Sequence, residues 1–237
     1  MVKERLDKII SSQSMMTRSD ASKLIRSGAV AVNGTVVKNT SMKIDTDCDC
    51  ITVNSMPFRY RKYIYIMMNK PDGIVSASRD TKEKTVVDLV PDELKRPDLF
   101  PAGRLDKDTT GFVLITDDGE FAHNILSPRH HVDKTYLATT DSIINDEYLE
   151  AMRSGMILGE EQLLEAEIDL EEGTDPPVYR IVLREGKYHQ IKRMIASTNA
   201  SLLALKRIKM GKLPLDPYLA PGECREITDE ELKLIQN

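Results

Sequence analysis

Phe100–Pro101–Ala102–Gly103–Arg104–Leu105–Asp106–Lys107–Asp108–Thr109–Thr110–Gly111 runs into Phe112–Val113–Leu114–Ile115–Thr116, and the reading of this stretch decides the fold. The apolar run with Val113 and Ile115 favours a strand. Pro101, Gly103 and Gly111 interrupt any helix around it. Asp106 therefore sits on a turn at the entrance to a strand, two residues after Arg104. A carboxylate in that place is a turn former, a metal ligand or a reactive group. The spacing of Asp106, Asp108, Thr110, Gly111 and Asp117 matches a calcium loop in part. Such a loop joins two helices and ends on a bidentate Glu, and this segment has neither.

Outward from that strand, further strand patterns recur at 64–68, 135–139, 165–170 and 178–184, with helices expected at 119–126, 145–154 and 189–198. Strands and helices follow one another without regular βαβ alternation, which predicts an α+β fold with a mixed, largely antiparallel sheet and flanking helices. The N-terminal part reads differently. Leu6, Ile9 and Ile10 recur at helical spacing within 3–12, and Thr17 with Asp20 opens a second helix carrying Ala21, Leu24 and Ile25. Gly28 ends it. Asn33–Gly34, between Val30–Ala31–Val32 and Thr35–Val36–Val37, is a two-residue hairpin turn. The basic stretch 57–63 reads as a linker, so the expected domains are 1–60 and 61–237.

The chain has 237 residues and a net charge of −5, which by itself disfavours a nucleic-acid partner. The distribution reverses that. Residues 1–62 hold 11 Lys+Arg against 6 Asp+Glu, residues 141–175 hold 12 acids and one base, and residues 179–212 hold nine bases and one acid. Two basic blocks flank an acidic one, a pattern suited to a nucleic-acid face. No run of 18 apolar residues is present, so no membrane partner is expected. Cys48, Cys50 and Cys224 make an odd set with no zinc-ligand spacing, which suits reduced thiols in the cytoplasm.

The N-terminal blocks Arg5–Leu6–Asp7–Lys8, Thr17–Arg18–Ser19–Asp20–Ala21, Leu24–Ile25–Arg26–Ser27–Gly28 and Val30–Ala31–Val32–Asn33–Gly34 resemble the S4 RNA-binding domain. Met15–Met16 departs from the glycine usual before the Thr-Arg pair. The stretch Gly103–Gly111 with Thr116–Asp117–Asp118–Gly119 is similar to the signature of RNA pseudouridine synthases of the Rsu/Rlu superfamily. Asn69–Lys70–Pro71–x–Gly73, Lys134–Thr135–Tyr136, Glu185–Gly186–Lys187–Tyr188–His189–Gln190–Ile191–Lys192–Arg193–Met194 and Leu205–Lys206–Arg207–Ile208–x–Met210–Gly211 resemble that family's other blocks, in order. Ser127–Pro128–Arg129–His130–His131–Val132–Asp133–Lys134–Thr135–Tyr136 resembles the branch acting on small-subunit ribosomal RNA.

The resemblance implies isomerisation of a uridine to pseudouridine, a reaction needing no cofactor and no metal. It implies Asp106 as nucleophile, attacking sugar or base, Lys192 as its cation, and Tyr136 as the pocket tyrosine. Arg104 would fill the space of a base swung out of its stack. Arg18, Lys23 and Arg26 in the first domain, with Lys70, Arg193 and Arg207 in the second, are the expected RNA contacts. Lys206 and Lys209 join them as possible phosphate partners. His189 reads as structural within its motif, and the other histidines as surface groups. The expected partner is 16S ribosomal RNA or a small-subunit assembly intermediate, met by a monomer. The alternatives are a synthase of large-subunit RNA and a non-catalytic S4-domain assembly factor.

Overall fold

A computed structural model describes residues 3–127 and 132–236. Contacts divide the chain into two compact units. The first runs to Ile64 and takes in Val90–Leu99; the second holds Tyr65–Leu89 and the chain from Phe100 onward. The segment 90–99 thus belongs with the N-terminal unit, on the far side of the 60/61 boundary that the linker suggested.

In the first unit, Lys3–Arg5 is a short strand paired with Lys43–Asp45, and the helix begins at Leu6. The helical apolar spacing starts only at Leu6, which leaves residues 3–5 open to pairing. Helix Arg18–Arg26 starts at Thr17, whose side chain accepts from the Asp20 N–H and donates to its carboxylate at 2.6 Å. Asn33 and Gly34 both have positive φ in the turn between Val30–Val32 and Thr35–Val36. Leu6, Ile9, Ile25, Val30 and Ile44 bury the core of this unit. Asp7 lies beneath Arg5 and Arg18. The Arg5 guanidinium, with Arg18 adding to it, draws its carboxyl down to about 2.

The second unit is built, among the described residues, on a nine-stranded sheet. Its order is Glu167–Leu170, Val178–Leu183, Lys134–Thr140, Leu202–Met210, Thr110–Thr116, Tyr65–Lys70 and Cys224–Glu226, with Phe100–Pro101 and Leu213–Pro214 added at the side. Every pairing is antiparallel except that of Leu202–Met210 with Thr110–Thr116. The strand after Asp106 is continuously buried from Gly111 to Thr116, as its central place in the sheet requires. Helices Gly119–Leu126 and Asp229–Gln236 close a core around Met67, Phe112, Leu114, Phe121 and Ile235. Asp118 caps the first of these helices by accepting from the Phe121 N–H, and it also accepts from the Tyr65 hydroxyl at 2.6 Å. The segment 103–109 joins two strands and not two helices, which removes the calcium-loop reading.

Candidate active site

The turn that carries Asp106 is fastened from several sides. The Thr109 N–H donates to the Asp106 carbonyl at 3.1 Å, and the Leu105 N–H donates to the Ser76 hydroxyl at 3.1 Å. The motif Asn69–Gly73 provides the main clamp. Lys70 is wholly buried at the end of strand Tyr65–Lys70, and its ammonium donates to the carbonyls of Pro71, Lys107 and Thr109 at 3.1, 2.8 and 2.9 Å. The Gly73 N–H adds a bond to the Lys107 carbonyl. Burial pulls the Lys70 ammonium down to about 8, with the charges of Asp72, Asp108 and Asp106 opposing.

Against this turn lies the helix Gln190–Ala196, whose Ile191, Met194 and Ile195 are buried. Lys192 stands at the edge of that stripe and reaches across. Its Nζ is 3.1 Å from Asp106 Oδ2 and 2.5 Å from Asp108 Oδ1. Burial pulls its pKa down, but bonds to Asp108 and Asp106 outweigh this, and the group ends above its ordinary value. Asp108 is held low, chiefly by the bond from Lys192. The lysine therefore stays charged throughout the neutral range and can hold a carboxylate in its ionised form.

Asp106 has a second neighbour that the sequence reading had set aside as structural. His189 Nε2 lies 3.3 Å from Asp106 Oδ1. His189 precedes the helix with a left-handed backbone, φ 47° and ψ 36°. The loop behind it is braced by Gln190, which accepts from the Lys187 N–H and donates to Glu185. The signal was only partial: His189 lies three residues before Lys192 in one motif, but its left-handed backbone ahead of the helix, not a shared helix face, brings it to Asp106. Asp106, Tyr136, Lys192, His189 and Arg104 line one cleft. Tyr136 is buried in its wall, on the central strand Lys134–Thr140, and Arg104 is exposed at its edge.

Three residues expected at RNA are engaged elsewhere. Lys70 is the clamp just described. Arg207 is 1% exposed, and its Nε donates to the Phe112 carbonyl at 2.7 Å across the parallel strand pair. Arg193 donates to Glu161 at 2.6 Å and to the carbonyls of Leu158 and Tyr188, tying the 157–162 hairpin to the helix. Each lies in a basic motif, but burial or a bonded guanidinium leaves it poorly placed for phosphate. Arg18, Lys23 and Arg26 remain exposed on one helix, although Arg18 donates to Asp7 and Lys23 pairs with Asp20 at 3.0 Å. Of the branch-marking stretch 127–136, Pro128, Arg129, His130 and His131 lie outside the described residues.

A carboxylate and a lysine are thus held together in a cleft that an aromatic ring and an arginine also line. The chain belongs to the RNA pseudouridylate synthase family, whose model matches residues 64–197, and the S4 domain model matches residues 4–47. It is 42% identical to the RNA pseudouridine synthase YtzG of Bacillus subtilis (strain 168) over 98% of both chains. It is 40% identical to ribosomal small subunit pseudouridine synthase A of Escherichia coli (strain K12), over 96% of this chain and 98% of that one. A crystal structure of a pseudouridylate synthase matches 98% of this chain and 99% of its own, with a TM-score of 0.66 and 38% identity.

Proposed function

We propose that this chain converts a uridine of small-subunit 16S ribosomal RNA into pseudouridine, with Asp106 as nucleophile and Lys192 as the cation paired with it. In this isomerisation the N1–C1′ bond of the nucleoside opens and the uracil turns. A C5–C1′ bond then forms, the proton on C5 leaves, and N1 is protonated. Atoms and electrons balance within the substrate, so no cofactor enters. An ionised carboxylate divides this difficult exchange into two easier steps. The observation that carries the reading is the Asp106–Lys192 pair, 3.1 Å apart although far separated in sequence, on one wall of a cleft that Tyr136 also lines.

Tyr136 presents its ring to the uracil and assists removal of the C5 proton. Arg104, at the cleft edge, takes the place of the base drawn out of its stack, a displacement that costs a few kcal/mol. The near-full-length similarity to small subunit pseudouridine synthase A supports the small ribosomal subunit as target. The RNA is met in the cytoplasm, free or in an assembly intermediate, by a monomer of this chain. Its domains of action are the S4 region within 1–60 and the catalytic region 61–237.

The test is Asp106→Asn, which keeps the shape and removes the charge. Product is expected to fall to background while the melting temperature and RNA affinity stay near those of the parent. Normal turnover in that variant would refute the chemistry. Mapping pseudouridines over all ribosomal RNA, in cells with and without the protein, tests the target: a site lost only from the large subunit would refute that part.

A further inference from the structure

Tyr188 is 76% exposed, an unusual state for so large a ring, yet it is not a loose side chain. Its ring lies on that of His189, centroids 3.9 Å apart and planes inclined by 17°. The backbone beneath is fixed twice. His189 is held in the left-handed region, and the Tyr188 carbonyl accepts from Arg193 at 3.3 Å. The inner ring of this stack, His189, is the one whose Nε2 approaches Asp106. One face of Tyr188 is thus covered by His189 and much of the rest of the ring is open to solvent, between Lys187 and His189, which line the cleft.

An enzyme that draws a uridine out of its stack leaves the neighbouring base without a partner on one side. An aromatic ring with a free face, carried between two residues that line the cleft, restores that lost stacking. Such base–aromatic contacts are tolerant of sequence and need only a π-face. A left-handed residue that is not glycine stores backbone strain, and such positions gather where a group must be aimed.

We infer that Tyr188, backed by His189, is the stacking platform for an unpaired base adjacent to the target uridine, and so acts in substrate recognition and not in the chemical step. This rests on the chain acting on RNA, as proposed above, but not on which ribosomal subunit supplies the uridine.

The test begins by presenting total ribosomal RNA to the wild-type protein and locating the converted uridine by sequencing. A large-subunit position there corrects the target and leaves this inference standing. An RNA fragment bearing that uridine is then made with 2-aminopurine at each flanking position in turn. In the wild type and in Tyr188→Phe, one flanking position is expected to lose fluorescence on binding, as the base stacks. In Tyr188→Ala the quenching disappears, KM rises about tenfold and kcat stays within about twofold. The exposed ring makes an unchanged melting temperature the expected control. Unaltered KM and quenching in Tyr188→Ala would overturn the inference. So would a loss in Tyr188→Phe equal to that in Tyr188→Ala, since the hydroxyl and not the ring would then be the contact.

Discussion

The carboxylate of Asp106 is surrounded by residues that never need to touch RNA. Lys192 and His189 flank its two oxygens, Asp108 shares the lysine, and Lys70 holds the turn from below. Lys70 gives this arrangement an alkaline limit. Its ammonium has three N–H groups for three carbonyls, and its pKa in the fold is about 8 against an ordinary 10.5. Between these values the unfolded chain binds the proton and the folded one does not, so global stability rises with pH across that window. The clamp does the opposite. A neutral amine has two N–H groups for the same three acceptors, and the Asp106 turn loosens. Turnover at saturating RNA is therefore expected to decline as pH rises through about 8, while Lys192, shifted upward, stays charged. Lys134 is also drawn down to about 8 by burial, with Arg207 adding to the effect, so Lys134→Met serves as the control that must keep the limb. Lys70→Met is expected to lower kcat roughly 10- to 100-fold and to lose the limb. A rate profile flat to pH 10 in the wild type would sink the argument. The places of Asp106 and Lys192 were readable from motif resemblance and helix stripe. That of Lys70 was not, because a lysine beside a Pro-Gly turn reads as surface until the strand before it is seen to lie inside a sheet.

At the scale of elements, the parallel pair is where geometry is tightest. Gly111 faces Arg207 across it, Arg207 faces Tyr136 on the next strand, and Tyr136 faces Ile181 on the one after. A Cβ on Gly111 would stand 2.2 Å from the Arg207 carbonyl oxygen, and its φ of 97° is one that side chains rarely adopt. No side-chain movement relieves a clash with backbone. Gly111→Ala is expected to cost at least about 2 kcal/mol of stability and to reduce activity with it, since the strand it displaces begins where the Asp106 turn ends. Thermal unfolding followed alongside turnover checks this; an unshifted midpoint would show that the strands separate freely. Strand positions were legible from alternation and β-branched residues, and helices 119–126 and 189–198 from their stripes. The parallel direction of one pair was not, because a buried strand reads the same whichever way its neighbour runs. The placement of Val90–Leu99 with the first unit was hidden for another reason, since this segment of turn and loop is held by distant contacts. Its Arg96 donates to the Arg61 carbonyl and the Gln13 amide, contacts that no local spacing announces.

For the whole molecule, counting charges along the chain pointed to RNA but overstated how many cations are available to it. In the block 179–212, Arg207 is buried and Arg193 is bonded into the fold, so much of that excess is structural. On the proposed function, the exposed cations of helix Arg18–Arg26 are expected to carry correspondingly more of the electrostatic contact with phosphate. They are not equivalent. Arg18 donates to Asp7, and losing it leaves that acid to Arg5 alone. Among the described residues Lys23 pairs with the exposed Asp20, a pair worth little against a phosphate. Replacing Lys23 and Arg26 together by Gln should therefore weaken RNA binding and reduce the slope of log affinity against log salt by about 1.5 to 2, one contact's worth per residue. The kcat of bound RNA should be unchanged, because neither residue belongs to the unit that holds Asp106. Arg18→Gln should instead lower the melting temperature of the first unit with a smaller change in slope. Titrations at several salt concentrations separate the cases. An unaltered slope in the double variant would mean that RNA is gripped through the second unit, by exposed cations such as Arg104 in the cleft, and that this helix face contributes shape without charge.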